Sequence, residues 1–526
     1  MKKRLLSMAL AVVLAFSLAA CGNTSSSQIK EQGSETVAQT EKDSGNMEEN
    51  TASSEEGTIF IGQTRAATTL NPYEGASGWS LTSHGISEGI YMQNEDGELY
   101  SRFISDIEQV DDHNWSLTLN ENVYFSDGSP VDAKAFSDAV NGLVENNELC
   151  AVSATGKMSC TPTGDFTLNL ETENVTHILQ CNFCEYQNVM YKDLGNGEFA
   201  FTGPYMVKSF EPGVKIEMVP NPYYPDAEKR SDVTIVVFGD ASAMKLAFEA
   251  GEIDMAVTIT ADVMEVLEGE GLKAETFDAG YQYFIYCNLE SELLQDKAVR
   301  QAINLAINRE DMTAALKGGR VASGMFANYY SFAGECTTEY NLEEAKQILE
   351  AAGWTLNADG IREKDGQVLK LRFITYASRP DLPILMQLAV SQLEDLGISF
   401  SAEIVDNITD ECKAGNFDLC FYAQHTAPSG DPAYFLRLAF FPTEGGNNFT
   451  RYDNTEFQDV VNQMNALPLG EERDALAKKA QEILYEDLPV IYVVDPQWHI
   501  AVSDRLEGYK PYCGDYYVVN SHLGIE

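Results

Sequence analysis

The segment LKLRFITYASRPDLPILMQLAVSQLEDLGISFSAEIV, residues 369–405, sets the class of fold that this chain can adopt. It opens with a run rich in aromatic and β-branched residues, continues through a long apolar-faced segment and closes with a second alternating run. These periodicities predict a strand, a helix that ends near Gly397, and a second strand. Such a unit places its two strands side by side and parallel, joined by a right-handed crossover. The segment therefore predicts an α/β fold with parallel strand pairs.

The same alternation continues on both sides of this segment. Strands are predicted at 58–64, 231–240 and 417–423, and helices at 243–251, 297–312, 341–353 and 471–489. The helix at 341–353 has the clearest start signal, because Asn341 and Glu344 have the spacing of a capping box. The length of 526 residues fits two or three domains.

The charge of the chain excludes one class of partner. It carries 81 acidic against 35 basic residues, a formal net charge of -46. Binding to nucleic acid or to anionic lipid headgroups depends on clustered Lys and Arg, so neither is expected as a partner.

The N-terminus predicts export. Residues 1–20 combine a basic start, an apolar run and small residues, which is the layout of a signal peptide. Leu18-Ala19-Ala20-Cys21 resembles a bacterial lipoprotein box, which implies a lipid on the Cys21 sulfur; plain secretion is the alternative. Residues 21–57 are polar and without aromatics, so we expect a disordered tether behind the lipidated Cys21. The predicted location is extracytoplasmic, anchored to the outer face of the bacterial cytoplasmic membrane.

The nine cysteines that follow Cys21 leave three interpretations open. Cys150 and Cys160 are near enough in sequence for a small-loop disulfide. Cys181 and Cys184, with His177, offer three metal-ligand types, whereas a structural zinc site needs four. Buried or free thiols are the simpler interpretation.

The sequence contains no G-x-S-x-G, H-E-x-x-H or phosphate-loop motif. We therefore expect a protein that is not an enzyme and needs no cofactor, with an exported α/β hydrolase-like enzyme as a remote alternative. Ligands of open α/β sheets bind beyond the carboxyl ends of strands. The loop AQHTAPSGDP (423–432) leaves one predicted strand and RAATTLNP (65–72) leaves another. His425 and Arg65 are therefore candidate ligand contacts, with Trp79 as a stacking surface.

Six segments together resemble one family, the extracytoplasmic solute-binding proteins of the peptide and nickel type, family 5. In chain order they are WSLTLNENVYFSDGSPVDAKAF (115–136), FTGPYMVKSFEPGVKIEMVPNPYY (201–224), AFEAGEIDMA (247–256), AVRQAINLAINRE (298–310), AAGWTLNADGIREKDGQVLKLRF (351–373) and GDPAYFL (430–436).

The resemblance implies a two-lobed fold of the type II periplasmic-binding-protein kind, with mixed sheets, helices on both faces and an extra inserted domain. It implies a first lobe at 58–288 with an insertion at about 96–198, a second lobe at 289–487, and a return to the first lobe at 488–526. It further implies a monomer that captures a small ligand by hinge closure and delivers it to the permease and ATPase subunits of an ABC importer.

The resemblance leaves two ligand classes open, a nickel or other metal chelate and a short peptide, with a conventional di- or oligopeptide-binding protein as the alternative. Pro428 stands where peptide-binding members have an Asp for the peptide's amino group, although Asp431 is near enough to replace it. His425 stands where nickel-type members have an aromatic residue and suits a metal ligand. The predicted ligand-binding set is His425, Arg65, Trp79, Tyr422, Asp431 and Asn448.

Overall fold

The computed structural model describes residues 57–443, 446–506, 508–520 and 523. The predicted signal peptide, Cys21 and the predicted tether up to residue 56 lie outside the described residues. Among the helices that are described, none combines the length and apolar character needed to cross a bilayer.

The helices are α1 (Ser77–Ser83), α2 (Ala133–Asn146), α3 (Leu179–Phe183), α4 (Ala241–Glu249), α5 (Ala261–Gly269), α6 (Lys297–Ala306), α7 (Arg309–Leu316), α8 (Leu342–Ala351), α9 (Asp381–Glu394), α10 (Ile408–Lys413), α11 (Pro432–Phe440), α12 (Thr455–Met464) and α13 (Glu471–Asp487). Short 3₁₀ turns occupy Glu148–Val152, Ala227–Lys229 and Asp504–Leu506.

The strands are β1 (Thr58–Gln63), β2 (Met92–Gln93), β3 (Leu99–Tyr100), β4 (Ile104–Gln109), β5 (Asn114–Leu119), β6 (Met158–Pro162), β7 (Thr167–Thr172), β8 (Tyr191–Gly195), β9 (Glu198–Phe201), β10 (Tyr205–Glu211), β11 (Lys215–Pro220), β12 (Asp232–Val237), β13 (Met255–Ile259), β14 (Ala274–Asp278), β15 (Tyr281–Cys287), β16 (Arg320–Val321), β17 (Thr355–Leu356), β18 (Arg362–Lys364), β19 (Gln367–Val368), β20 (Lys370–Thr375), β21 (Ser399–Ile404), β22 (Leu419–His425), β23 (Val490–Asp495) and β24 (Gln497–Val502).

A seven-stranded mixed sheet forms the base of what we call the first lobe. Its strand order is β10-β11-β12-β1-β13-β24-β14. Strand β1 lies parallel to both β12 and β13, whereas the outer strands pair antiparallel. Its central positions are apolar and buried, as expected for strands covered on both faces.

A six-stranded mixed sheet, of order β16-β23-β15-β22-β20-β21, forms the base of the second lobe. Strand β20 lies parallel to β21 and to β22, with α9 as the crossover between β20 and β21. The strand–helix–strand unit predicted at 369–405 is therefore confirmed, and the predicted strand at 417–423 is its third parallel member.

The chain passes between the two sheets at two neighbouring places. It leaves the first sheet after β14 and enters the second at β15, and it returns between β23 and β24. Strand β15 was predicted in the first lobe and β23 in the returning segment, but both pair within the second sheet. The crossings therefore lie at residues 279–280 and 496, because strand pairing sets the boundary and sequence blocks do not reveal pairing.

A separate four-stranded sheet, β4-β5-β7-β6, lies inside the range predicted for the insertion. Helix α2 covers it and buries Phe136, Val140 and Leu143. The nine cysteines of the described residues are all free thiols, so Cys150 and Cys160 do not form the suggested disulfide. The predicted helix at 297–312 is two helices, since Asn308 caps a new helix, α7, with its side chain.

The N-cap half of the predicted capping box is present, whereas the Asn341 backbone N–H donates to the Leu305 carbonyl at 2.9 Å and not to Glu344. The Asn341 side chain accepts a hydrogen bond from the Glu344 backbone N–H at 3.1 Å and donates one to the Glu344 carboxylate at 2.9 Å. The side chain of Asn341 thus marks the start of α8.

Candidate ligand-binding site

A cavity of about 640 Å³ lies where the two lobes face each other. Much of its lining comes from the loops that follow three strands: Thr64 and Arg65 after β1, Tyr376 to Arg379 after β20, and Val405 to Asn407 after β21. Val237, the last residue of β12, also lines it. Residues Tyr422 to Gln424 of β22 complete that side. The cavity therefore occupies the position beyond the carboxyl ends of strands that the sequence predicts.

The walls of the cavity are largely aromatic. Six aromatic side chains line it: Trp79, Tyr186, Tyr281, Tyr376, Tyr422 and Tyr516. Two of these rings, Tyr376 and Tyr422, lie 5.6 Å apart between centroids, and Tyr186 packs at 5.9 Å on Tyr434 behind it. Packed rings of this kind form a rigid, amphipathic surface for stacking and for hydroxyl hydrogen bonds.

Two charged side chains in the cavity have no direct charged partner. The Arg65 guanidinium lies over the Trp79 ring, 4.6 Å from its centroid, and makes no hydrogen bond or ion pair within the described residues. The carboxylate of Asp406 lines the opposite side and is likewise unpaired there. Arg65 belongs to the first lobe and Asp406 to the second, so each lobe presents one charge to the cavity.

A third charge in the wall is neutralised internally. The Arg379 guanidinium donates to Asp515 at 2.6 Å, and both side chains are buried. The Tyr281 hydroxyl donates to the same carboxylate at 2.6 Å. Burial raises the pKa of Asp515, but the charge of Arg379 and these hydrogen bonds outweigh burial and hold that pKa below its ordinary value.

Direct contacts join the lobes around the cavity. The Thr64 hydroxyl of the first lobe donates to the Ser378 carbonyl of the second at 2.9 Å. Lys413 and Glu148 form an exposed ion pair across the rim at 3.3 Å. Below them, the Tyr434 hydroxyl donates to the Gln187 side chain at 3.2 Å. The lobes are therefore in contact on several sides of the cavity.

Three of the predicted site residues line the cavity: Arg65, Trp79 and Tyr422. The structure brings them together with Arg379, Asp406 and the tyrosines named above.

His425 does not line the cavity. Its ring is buried behind two lining residues, at 5.5 Å from Tyr281 and 4.9 Å from Tyr516 between ring centroids. Its Nε2 lies 3.3 Å from the Cys513 sulfur. Burial lowers the pKa of His425 to about 3, so the ring is neutral at any ordinary pH. His425 therefore supports the wall from behind, and its direct contact with a ligand stays a prediction.

Asp431 and Asn448 also lie away from the lining. The Asp431 carboxylate accepts from the backbone of Ala433 at 3.0 Å, which caps α11, and pairs with buried Arg473 at 2.6 Å. The Asn448 side chain donates to the Tyr452 carbonyl at 2.7 Å. Both side chains make hydrogen bonds within the second lobe: Asp431 caps the start of α11, and Asn448 stabilises the loop that ends at Tyr452.

Sequence reasoning missed Arg379, Asp406 and Asp515. The first two follow strands β20 and β21, so the carboxyl-end rule, applied to every predicted strand, would have found them. Asp515 comes from the C-terminal segment, residues 509–520, in which no local pattern marks it. His177, proposed with Cys181 and Cys184, contacts the Gln109 side chain, and among the described residues no cluster of three or more His, Cys, Asp or Glu is arranged to hold a metal ion.

Solved structures share this fold over nearly their whole length. NikA from Staphylococcus aureus, in complex with Ni(L-His)2, superposes with a TM-score of 0.80 at 21% identity, covering 88% of this chain and 98% of that one. AppA from Bacillus subtilis, in complex with a nonapeptide, superposes with a TM-score of 0.77 at 21% identity, covering 89% and 98%. The fold is that of a two-lobed periplasmic-type binding protein.

The family model for bacterial extracellular solute-binding proteins, family 5, matches residues 98–447, and the chain belongs to that family. Among its relatives, the oligopeptide-binding protein AppA of Bacillus subtilis is 29% identical over 344 residues, which is 61% of this chain and 62% of AppA. The nickel-binding protein NikA of Staphylococcus aureus is 21% identical over 454 residues, 84% of this chain and 89% of NikA. The resemblance found in the sequence is confirmed.

Proposed function

We propose that this protein captures a small polar solute that carries both a cationic and an anionic group. A short peptide and an amino-acid chelate of a metal such as nickel both meet that description. The observation that carries the proposal is the pair of unpartnered charges in one cavity, Arg65 from the first lobe and Asp406 from the second.

The position of these charges on different lobes gives the solute a role in closure. A solute that contacts both charges adds interactions that exist only when the lobes are together, so binding favours the closed state. In the closed cavity water is largely replaced by aromatic side chains, and each charge-assisted hydrogen bond becomes stronger. Closure is the signal that a membrane permease can recognise, and no covalent step is required.

The size of the cavity favours a small solute. Its volume of about 640 Å³ falls within the range of pockets that hold drug-sized ligands, roughly 300–1,000 Å³. Solved structures of related proteins contain ligands of both classes: NikA from Staphylococcus aureus is in complex with Ni(L-His)2, and AppA from Bacillus subtilis is in complex with a nonapeptide. A chelate of free amino acids or a peptide of a few residues suits this cavity better than a long peptide.

The cellular setting follows from sequence features. The N-terminal layout supports export, cleavage before Cys21 and a lipid anchor on that residue. The protein then acts as a monomer outside the cytoplasmic membrane and delivers its solute to an ABC permease with its ATPase. The two crossings at residues 279–280 and 496 lie side by side, since Asp278 and Gln497 are paired in the first sheet, and they are the proposed hinge.

Native mass spectrometry of protein purified from its own host tests the proposal. We expect a bound mass with either a nickel isotope pattern or the mass of a short peptide. After the solute is stripped, thermal unfolding with Ni(L-His)2 and with a di- to pentapeptide series should show a higher Tm for one class, because ligand binding stabilises the folded form. No shift with either class would contradict the proposal.

Variants connect the bound solute to the cavity. Arg65→Gln and Asp406→Asn should each lower the affinity for the identified solute by tenfold or more, in line with about 1.5–3 kcal/mol for a hydrogen bond to a charged group. His425→Gln is the matched control from the buried layer, and we expect a smaller change because its ring does not reach the cavity.

A further inference from the structure

The carboxylate of Asp515 is held as a bound ligand would be held. Its Oδ2 accepts from Arg379 Nη2 at 2.6 Å, and its Oδ1 accepts from the Tyr281 hydroxyl at 2.6 Å and from the Trp79 indole N–H at 3.3 Å. All three donor residues line the cavity. Arg379 is held in turn between two rings, 4.7 Å from the Tyr281 centroid and 4.6 Å from the Trp498 centroid.

The carboxylate and its strongest donors come from different parts of the chain. The C-terminal segment packs on the first lobe, where the Val519 N–H donates to the Ser83 carbonyl at 2.9 Å and the Tyr517 hydroxyl accepts from the Gln93 N–H at 3.2 Å. Arg379 and Tyr281 belong to the second lobe. Asp515 thus reaches across the interface between the lobes, at the wall of the cavity.

The donors form a complete carboxylate site. A guanidinium, a hydroxyl and an indole N–H converge on one carboxyl group inside an aromatic box, which is the chemistry expected for recognition of a solute carboxylate. Arg379 itself lies in the loop that follows β20.

We propose that Asp515 is an internal carboxylate ligand that occupies a carboxylate-binding subsite formed by Arg379, Tyr281 and Trp79. The subsite is thereby closed to carboxylates of the solute, and Arg65 remains the cation for the solute's anionic group. Asp515 is in this sense a specificity-determining residue. The role assigned to Arg65 rests on the proposed function, whereas the occupied subsite does not.

The charge balance explains why a solute carboxylate would enter if Asp515 were absent. Arg379 is only 6% exposed at its side chain, so removal of Asp515 leaves a buried cation beside the cavity without the carboxylate that pairs with it. A small carboxylate that diffuses in can restore both the ion pair and the Tyr281 hydrogen bond.

Chemical rescue tests this proposal without knowledge of the natural solute. Asp515→Ala removes the carboxylate and leaves only the β-methyl group, and acetate is a small free carboxylate that can pair with Arg379 in place of the lost group. Thermal unfolding is measured in sodium acetate at about 100 mM and in sodium chloride of equal ionic strength. We expect the Tm of Asp515→Ala to be lower than that of the wild type in chloride and to rise in acetate relative to chloride by about 1–2 °C, as for millimolar binding to a chain of this size.

Matched variants separate the subsite from general effects of acetate. The wild type should show no rise, because Asp515 already fills the site. The double variant Asp515→Ala with Arg379→Gln should show none either, because the cation is gone. Asp515→Asn provides a second, isosteric variant in which a smaller acetate effect is expected, and Asp515→Glu should keep the site filled and respond like the wild type.

Equal responses of Asp515→Ala and the double variant to acetate would overturn the proposal. Failure of both Asp515→Ala and Asp515→Asn to fold even in acetate would also contradict it, because a free carboxylate would then not reach Arg379. Either result leaves the capture of a solute by Arg65 and Asp406 standing, since that is measured on the wild-type cavity.

Discussion

Replacement of Asp431 by Ala distinguishes a residue that holds the fold from one that holds the solute. The Asp431 carboxylate is 1% exposed and makes two bonds, to the first turn of α11 and to Arg473, which is itself fully buried. The family pattern drew attention to Asp431 as a ligand contact. In the structure its carboxylate lies at the junction of α11 and α13.

The expected cost follows from these two bonds. Loss of an N-cap costs about 0.5–2 kcal/mol, and removal of one partner from a buried ion pair costs about 3–5 kcal/mol. The two effects share one carboxylate and do not simply add, so we expect a loss of about 4 kcal/mol in the free energy of unfolding. For a folded part of this length, the entropy of unfolding converts this to a fall in Tm of about 4 °C.

The assay compares Asp431→Ala with Asp406→Ala by calorimetry and by titration with the co-purified solute. Asp431→Ala should lower the Tm and leave the affinity of the folded protein within about twofold. Asp406→Ala removes an exposed, unpaired carboxylate, so its Tm should change by less than about 1 °C while the affinity falls. An unchanged Tm with lost affinity for Asp431→Ala would refute the reasoning.

Three further predictions concern charges around the cavity. Burial raises the pKa of Glu185 to about 8 from an ordinary value of 4.5, so the folded state retains a proton that the unfolded state loses. The free energy of unfolding of the wild type should therefore fall by up to a few kcal/mol as pH rises from 4.5 to 8. Glu185→Gln should lack this fall when unfolding is measured from pH 5 to 9. Burial lowers the pKa of His425 to about 3 from 6.5, so only the unfolded state binds a proton between these values and stability falls with acid. Between pH 6.5 and 4.5 the free energy of unfolding of His425→Gln should therefore fall less steeply than that of the wild type, by up to about 1.4 kcal/mol per pH unit. Equal slopes for the two proteins would contradict a buried, neutral His425 ring. Lys413→Ala removes an exposed rim pair and should change the Tm by less than about 1 °C, a change that added salt should abolish.

Local sequence signals predicted the elements that depend on neighbours in the chain. The N-cap at Asn341 and the strand–helix–strand unit at 369–405 appear as predicted, because hydrogen bonds within a few residues and the period of apolar side chains determine them. The helix predicted at 297–312 was wrong in one respect. Asn308 offers its side chain as an N-cap, and this cap starts a second helix inside a continuous apolar pattern.

Boundaries between the lobes could not be predicted because they depend on strand pairing. Strand β15 has the composition of any buried strand, and nothing in its residues shows that it pairs with β22 in the second sheet. The same limit applies to β23, one strand before the return to the first lobe.

Only some of the residues that line the cavity could be predicted from the sequence, because local patterns do not show how distant segments pack. Arg65 follows a strand and lines the cavity, so the carboxyl-end rule was sufficient for it. His425 sits at the end of β22 opposite Tyr281 of β15, and its ring packs against Tyr281 and Tyr516, which line the cavity while His425 does not. Asp515 is brought to the cavity by the packing of the C-terminal segment, a tertiary event that leaves no local pattern in the sequence.

The most direct test of solute capture is the crystal structure of the protein purified with its natural solute. We expect solute density in the cavity of about 640 Å³, with an anionic group within hydrogen-bond distance of Arg65, roughly 2.7–3.2 Å, and a cationic group similarly near Asp406. Asp515 should remain on Arg379. Density outside the cavity, or a solute that contacts neither Arg65 nor Asp406, would contradict the account.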